Sequence, residues 1–127
     1  MTQEINGRKI IGTLKIPVIE LELPVMEYSL ENLKISACLY EGSLYENNMV
    51  ICANNADNLF GRIKEMETGQ LILFTDLENN RYIYQVKLPQ VMNQSQDKKI
   101  LDNLWNLTLL TYAEDESKRI VIRCIFL

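Results

Sequence analysis

The chain has 127 residues, 47% of them apolar and 24% charged, which predicts a single globular domain over residues 1–127 and excludes an intrinsically disordered chain. Thirteen basic and seventeen acidic residues give a net charge of -4, and the basic residues cluster only in pairs, so we expect no nucleic-acid interface. The sequence contains no histidine and therefore lacks the commonest general base at neutral pH and the commonest metal ligand.

The amino terminus is polar. Residues 1–8 lack the apolar core of a signal peptide, and we expect them to form a flexible extension of the domain. No apolar run is long enough to span a membrane, so the chain as written is expected to be soluble. Two localisations stay open: the cytoplasm if Met1 is the natural start, and the cell surface if a membrane anchor has been removed.

Short runs rich in apolar and β-branched residues recur along the chain and predict strands. Pro17 and Pro24 divide the first run into two strands, because proline is confined to strand ends and sheet edges. Polar turn residues separate the later runs into two hairpins. The predicted strands lie at residues 9–25 (two strands), 49–53, 71–75, 81–88, 104–112 and 119–127.

Two short helices are predicted between the strands. Ser29 is a favourable N-cap for a turn of helix over residues 29–33. Leu59, Ile63 and Met66 have helical spacing and predict an amphipathic helix over residues 55–66. Seven or eight short strands with two short helices predict a mainly β fold, and specifically a closed β-barrel, because closure removes exposed strand edges.

Cys38, Cys52 and Cys124 lack the C-x-x-C spacing of zinc and redox sites, so we expect all three to be buried and unpaired. No cluster of carboxylates resembles a calcium cage, so neither a metal nor a cofactor is expected. Four aromatic residues are expected in the barrel core or in cross-strand pairs rather than on a ligand platform. They are Trp105, Phe74, Tyr82 and Tyr84.

Several motifs follow one another in a distinctive order. They are residues 11–17 (IGTLKIP), 23–25 (LPV), 40–43 (YEGS), 50–55 (VICANN), 60–63 (FGRI), 107–112 (LTLLTY) and 118–124 (KRIVIRC). In this order they resemble the sortases, cysteine transpeptidases of Gram-positive bacteria that attach proteins to the cell wall or polymerise pili. The hairpin around residues 74–76 and 82–86 is most similar to class B-like and class D-like clostridial sortases. The resemblance implies the sortase-type barrel.

The resemblance also identifies the three catalytic positions of the family. Asn54 stands where the Ala-His-Asn motif has its catalytic histidine, and Tyr112 stands where the Thr-Leu-x-Thr-Cys strand has its nucleophile. Arg119 matches the catalytic arginine at the start of the last strand. Because only the arginine is retained, the resemblance implies a degenerate sortase with no intact catalytic set.

The two substitutions remove the family's chemistry. A cysteine ionises near pKa 8.5 and attacks as a thiolate, whereas a phenol titrates near pKa 10. An asparagine amide does not titrate, so the general acid-base contribution of about 10²- to 10⁴-fold is lost. We therefore expect a pseudoenzyme in which Arg119, Tyr112 and Asn54 bind a peptide. By resemblance, its partners are a sorting-signal peptide, a pilin or an active sortase at the cell surface.

Three alternatives stay open. Cys52 could act as a displaced nucleophile in an atypical active transpeptidase or hydrolase, although packing is the simpler role. Arg119 could pair with the acidic turn over residues 114–116 instead of contacting a peptide carbonyl. Tyr112 could fill the former active site and leave a purely structural barrel.

Overall fold

The computed structural model describes residues 3–5, 8–102 and 104–127, with residues 3–5 and 8 described by their backbone. The strands are β1 (Gln3–Ile5), β2 (Arg8–Ile16), β3 (Leu21–Glu27), β4 (Ala37–Glu41), β5 (Met49–Cys52), β6 (Leu71–Asp76), β7 (Arg81–Asn93), β8 (Leu107–Tyr112) and β9 (Lys118–Phe126). The α-helices are α1 (Leu30–Leu33) and α2 (Asp97–Ile100), and single 3-10 turns lie at Pro17–Ile19, Ile63–Glu65 and Gln94–Gln96.

The strands form a closed barrel. Their order is β1-β2-β3-β4-β5-β8-β9-β7-β6, and an additional antiparallel pairing of β6 with β2 closes the ring. Eight strands therefore make the ring, while β1 pairs only with β2 and lies outside it. The predicted mainly β, closed-barrel fold is confirmed. The extension expected over residues 1–8 falls mostly outside the described residues, apart from the backbone of β1 and Arg8.

One large apolar core fills the barrel. Alternate residues of each strand point inward, as the period of two requires. Inside the barrel they pack against buried side chains of residues 53–66, which follow β5. The most deeply buried large side chains include Phe60, Phe74, Tyr84, Leu14 and Ile51. Gly12 allows the ring of Phe74 to approach, because a Cβ at that position would collide with its Cζ.

The aromatic and cysteine predictions are largely met. Phe74 and Tyr84 are buried in the core, and Tyr82 is the cross-strand partner of Phe74. Trp105 lies half-buried just before β8 rather than inside a strand. All three cysteines are buried and free, as expected.

The predicted helix over residues 55–66 is wrong. Leu59, Phe60, Ile63 and Met66 are all buried, which explains their helical spacing, but consecutive turns rather than a helix carry them inward. The carbonyl of Ala56 accepts hydrogen bonds from the amides of Leu59 and Gly61, and only a single 3-10 turn follows at Ile63–Glu65.

The first predicted helix is α1, a single turn whose N-cap is Ser29 as expected. The Ser29 hydroxyl accepts a hydrogen bond from the amide of Asn32 at 2.9 Å. This turn connects β3 to its parallel neighbour β4.

The second helix, α2, was not predicted, and it packs on the outside of the barrel. Ile100 joins Met92 of β7 and Val121 of β9 in a small apolar cluster, with Leu101 and Leu110 packed beside it. Among the described residues, neither helix is long and apolar enough to cross a membrane.

Candidate functional site

The candidate site lies where three strands meet at one end of the barrel. Strands β5 and β8 run parallel with Cys52 opposite Leu110, so their carboxyl ends lie side by side. Strand β9 runs antiparallel to β8 and places Arg119 directly opposite Tyr112. The Thr111 hydroxyl donates a buried hydrogen bond to the carbonyl of Ala53 at 2.7 Å and ties the ends of β5 and β8 together.

Tyr112 and Arg119 form a stacked pair. The guanidinium carbon of Arg119 lies 4.5 Å from the centroid of the Tyr112 ring, within the range of a cation–π interaction. Its Nη1 donates to the carbonyl of Glu116 at 2.8 Å, and its Nε lies 3.7 Å from a carboxylate oxygen of Asp97. The acidic partner of Arg119 is therefore Asp97 of α2, while the acidic turn contributes one backbone carbonyl, that of Glu116.

A cleft of about 140 Å³ opens beside this pair. The barrel supplies one wall, α2 supplies another, and the β3–β4 crossover closes the third side. The lining residues are Tyr28, Leu33, Tyr40, Cys52, Ala53, Asp97, Ile100, Leu101, Leu110, Thr111, Tyr112 and Arg119. Tyr28 and Tyr40 meet edge to face, with ring centroids 4.8 Å apart.

The structure brings together two of the three sequence-predicted site residues. Asn54 follows β5 by two residues, and its backbone carbonyl accepts hydrogen bonds from the amides of Ala56 and Phe60, which start the next turn. It is half-buried and is not one of the residues that line the cleft. Asn54 is therefore near the strand ends, but only Tyr112 and Arg119 border the cleft.

Tyr112 does not fill the cleft. Its side chain stays 42% exposed, and the cavity beside it remains open. The surface at this position is therefore open and is bordered by a phenol.

Cys52 lines the cleft but is not activated. It is 8% exposed, and burial, with the nearby Cys38 thiol as a further cause, raises its pKa to about 12. At pH 7 such a thiol is ionised to roughly one part in 10⁵. The described residues contain no group of three side chains that could hold a metal ion.

Sequence reasoning missed the residues that α2 contributes, Asp97, Ile100 and Leu101. One signal was present. Asn93 and Gln96 have the spacing of a capping box, and the Gln96 side chain accepts a hydrogen bond from the backbone amide of Asn93 at 3.0 Å. The spacing of an N-cap residue and a Gln three positions later marks the start of such a segment.

Comparisons with known proteins agree with this fold. A family model of the sortase domain matches residues 14–125. Sortase A of Listeria monocytogenes superposes with a TM-score of 0.81 at 22% identity, covering 93% of this chain and 87% of that one. Sortase C of Clostridium perfringens, solved with the C-terminal cell wall sorting motif, gives 0.79 at 22% identity, covering 93% and 70%.

Sortase A of Corynebacterium diphtheriae gives a TM-score of 0.77 at 22% identity, with 94% of this chain and 61% of that chain covered. This chain therefore spans less than two thirds of that relative. A search of curated protein sequences found no match. Because the family model covers most of its length and its barrel superposes on solved members, the chain belongs to the sortase family.

Proposed function

We propose that this chain is a catalytically inactive sortase domain that binds an extended peptide in the cleft beside Tyr112 and Arg119. One observation carries the proposal: the Arg119 guanidinium lies over the Tyr112 ring at the cleft wall, and within the described residues its Nη2 group makes no hydrogen bond. A positioned guanidinium with unused donors suits a peptide carbonyl.

The chemistry of the cleft fits a peptide. Leu33, Ile100, Leu101 and Leu110 offer apolar contact, and three tyrosines that each carry a hydroxyl line the same cleft. Ligand sites combine a mostly apolar lining with a few fixed polar groups, and tyrosine is common at recognition surfaces. Such a cleft accommodates apolar peptide side chains while a few donors fix the backbone.

The residues at the catalytic positions support inactivity. Tyr112 and Asn54 replace the thiol and the imidazole, and the sequence has no histidine to activate another group. Arg119 supplies charge stabilisation only. It is not the nucleophile that a transpeptidase needs to form its acyl intermediate.

Binding of a peptide tests the proposal. The probe is a synthetic peptide carrying a C-terminal cell wall sorting motif, titrated by calorimetry. Arg119→Ala is expected to weaken binding about tenfold or more, because a hydrogen bond to a charged group contributes about 1.5–3 kcal/mol. Arg62→Ala, which removes an arginine outside the cleft, serves as the matched control and leaves affinity unchanged. No binding by the unsubstituted protein to any such peptide contradicts the proposal.

A second candidate is an atypical active transpeptidase that uses Cys52, and the position of Cys52 on the cleft wall favours it. Its raised pKa opposes it. Mass spectrometry after incubation with the same peptide separates the two: an acyl adduct on Cys52 or Tyr112 establishes the active enzyme, and an unmodified chain that binds the peptide supports the pseudoenzyme.

The same proposal extends to the biological partners. A peptide-binding domain of this family would act at the cell surface, where it recognises a sorting signal or a pilin, or assists an active sortase. The sorting motif present in the solved Clostridium perfringens sortase C motivates the choice of peptide. Co-purification of this chain with an active sortase or pilin from the same organism, lost on Arg119→Ala, tests the partner.

A further inference from the structure

Arg123 on β9 is almost completely buried and makes four hydrogen bonds. Its side chain is 3% exposed. Nε donates to Oε1 of Gln90 at 3.2 Å, and Nη1 donates to the Thr108 hydroxyl at 3.0 Å. The other two bonds leave the sheet: Nη1 donates to the carbonyl of Ile100 at 2.8 Å, and Nη2 donates to the carbonyl of Lys99 at 3.0 Å.

These two carbonyls belong to the last residues of α2. The final carbonyls of a helix have no partner within the helix and need one from outside. A helix of four residues has no stability of its own, because helix formation starts with an unfavourable nucleus. Arg123 therefore supplies from the barrel the partners that the end of α2 lacks.

The burial of Arg123 is costly. Desolvation lowers the pKa of its guanidinium, and the negative charge of Asp102 acts in the opposite direction. Over residues 8–102 and 104–127 it forms no ion pair with a carboxylate. A buried charge is tolerated only where its hydrogen bonds are well satisfied. The four acceptors therefore fix the position of the Arg123 guanidinium, and the guanidinium in turn fixes the end of α2.

The segment that Arg123 holds is the wall of the cleft. Asp97, Ile100 and Leu101 line the cavity, and Asp97 faces the Nε of Arg119. Arg119 and Arg123 lie four positions apart on one strand and therefore share its outer face. From the same strand, Arg119 therefore contacts the first residue of α2, and Arg123 bonds to its last two residues.

We propose that Arg123 is a positioning residue, which fixes α2 as the wall of the cleft and thereby sets the orientation of Arg119 through Asp97. Its role in peptide affinity rests on the proposed function of the cleft. Its role in holding α2 does not.

The two hydrogen bonds from Arg123 to the carbonyls of Lys99 and Ile100 form a clamp on α2. Hydrogen exchange measured by mass spectrometry tests this clamp without any peptide. Arg123→Met keeps an unbranched apolar stem, although a shorter one, and removes all four bonds without leaving a buried charge. We expect exchange over residues 97–102 to rise about thirtyfold, since α2 loses two hydrogen bonds that each contribute about 1 kcal/mol. The β6–β7 hairpin should exchange as before, and Arg62→Met, which also loses a bond to a backbone carbonyl, should leave residues 97–102 unchanged.

Arg123→Lys is the conservative variant and also carries the test if Arg123→Met does not fold. A lysine keeps the charge but presents one donor centre instead of a fork, so exchange should rise less than in Arg123→Met. Exchange over residues 97–102 that matches the unsubstituted protein in either folded variant overturns the clamp, whether or not a peptide binds.

A double-mutant cycle in calorimetry then tests the positioning. Arg123→Met and Asp97→Asn are each expected to weaken binding of the sorting-motif peptide, and the loss in the double variant should be smaller than the sum of the single losses. Additive losses overturn the coupling through α2. Absence of binding by the unsubstituted protein removes the proposed function, while the exchange result still decides the clamp.

Discussion

The two faces of β9 are built in opposite ways. Ile120, Ile122 and Cys124 point inward and join the apolar core of the barrel. The arginines at 119 and 123 alternate with them on the outer face, and both bond to other segments of the chain. The inner face stabilises the fold by burial, whereas the outer face uses directed bonds to place a short helix beside the cleft. If the cleft binds a peptide as proposed, stability and recognition depend on different residues of one strand.

The largest test extends this contrast from β9 to the inner and outer faces of the whole barrel, and it removes a core ring on β6. Phe74→Ala deletes a buried side chain that packs over Gly12, so the free energy of unfolding should fall by about 3–5 kcal/mol. Urea unfolding followed by circular dichroism measures it. Tyr112→Ala truncates a half-exposed ring on the outer face and should cost less than about 1 kcal/mol. Equal losses in the two variants would break the distinction between the faces.

The free energy of unfolding at alkaline pH compares the inner face with the cleft wall, because each contains a buried cysteine. Burial raises the pKa of Cys124, on the inner face, and of Cys52, beside the cleft, to about 12 in each case. The unfolded chain ionises first, so the stability that each neutral thiol contributes is complete below about pH 8.5 and is lost as pH rises towards 12. One pH unit above the unfolded pKa costs about 1.4 kcal/mol per thiol, and therefore about 3 kcal/mol for the two thiols together.

Urea unfolding between pH 8 and pH 10 checks this expectation. Cys124→Ala and Cys52→Ala should each remove about half of the alkaline loss that the two thiols cause together. If Cys52→Ala leaves the pH dependence of stability unchanged, water reaches the cleft wall. The pKa of the Cys52 thiol is then closer to that of an ordinary cysteine than its burial indicates.

A smaller effect is expected at the junction of β5 and β8. Thr111→Val keeps the shape of a buried side chain but leaves the carbonyl of Ala53 without its donor, so about 1–2 kcal/mol should be lost. Thr75→Val is the matched control, because the Thr75 hydroxyl makes no hydrogen bond to a described residue, and should stay within about 0.5 kcal/mol. Equal effects in urea unfolding would show that the bond contributes nothing to the strand ends.

The inner face is the part of the fold that sequence reasoning can predict. Apolar alternation marks the strands, and the turn residues mark the two hairpins, because burial on one side of a strand imposes a period of two. Tyr112 and Arg119 were predicted as site residues from the resemblance, and the antiparallel register places them opposite each other. Asn54 was predicted in the same way, and the structure leaves it off the cleft wall.

The outer layer is harder to predict, because its helix is too short to show a period. Helix α2 has four residues, two of them lysines, and its one buried residue is Ile100. Nothing local indicates that Arg123, which lies in an ordinary strand, supplies its hydrogen-bond partners. Conversely, Leu59, Ile63 and Met66 show helical spacing without a helix, because several turns bury the same side chains that a helix would.

The smallest effect on stability is expected at Asp97. This position separates the free energy of unfolding from peptide affinity most clearly. Its carboxylate is half-exposed and lies 3.7 Å from the Nε of Arg119, so Asp97→Asn should change the free energy of unfolding by less than about 0.5 kcal/mol. If the outer face serves recognition, the same substitution should still weaken peptide binding, because Arg119 loses the partner that orients it. Urea unfolding and calorimetry on the same variant measure both quantities. A stability loss as large as that of Thr111→Val, with unchanged affinity, would assign the pair to the fold instead of the cleft.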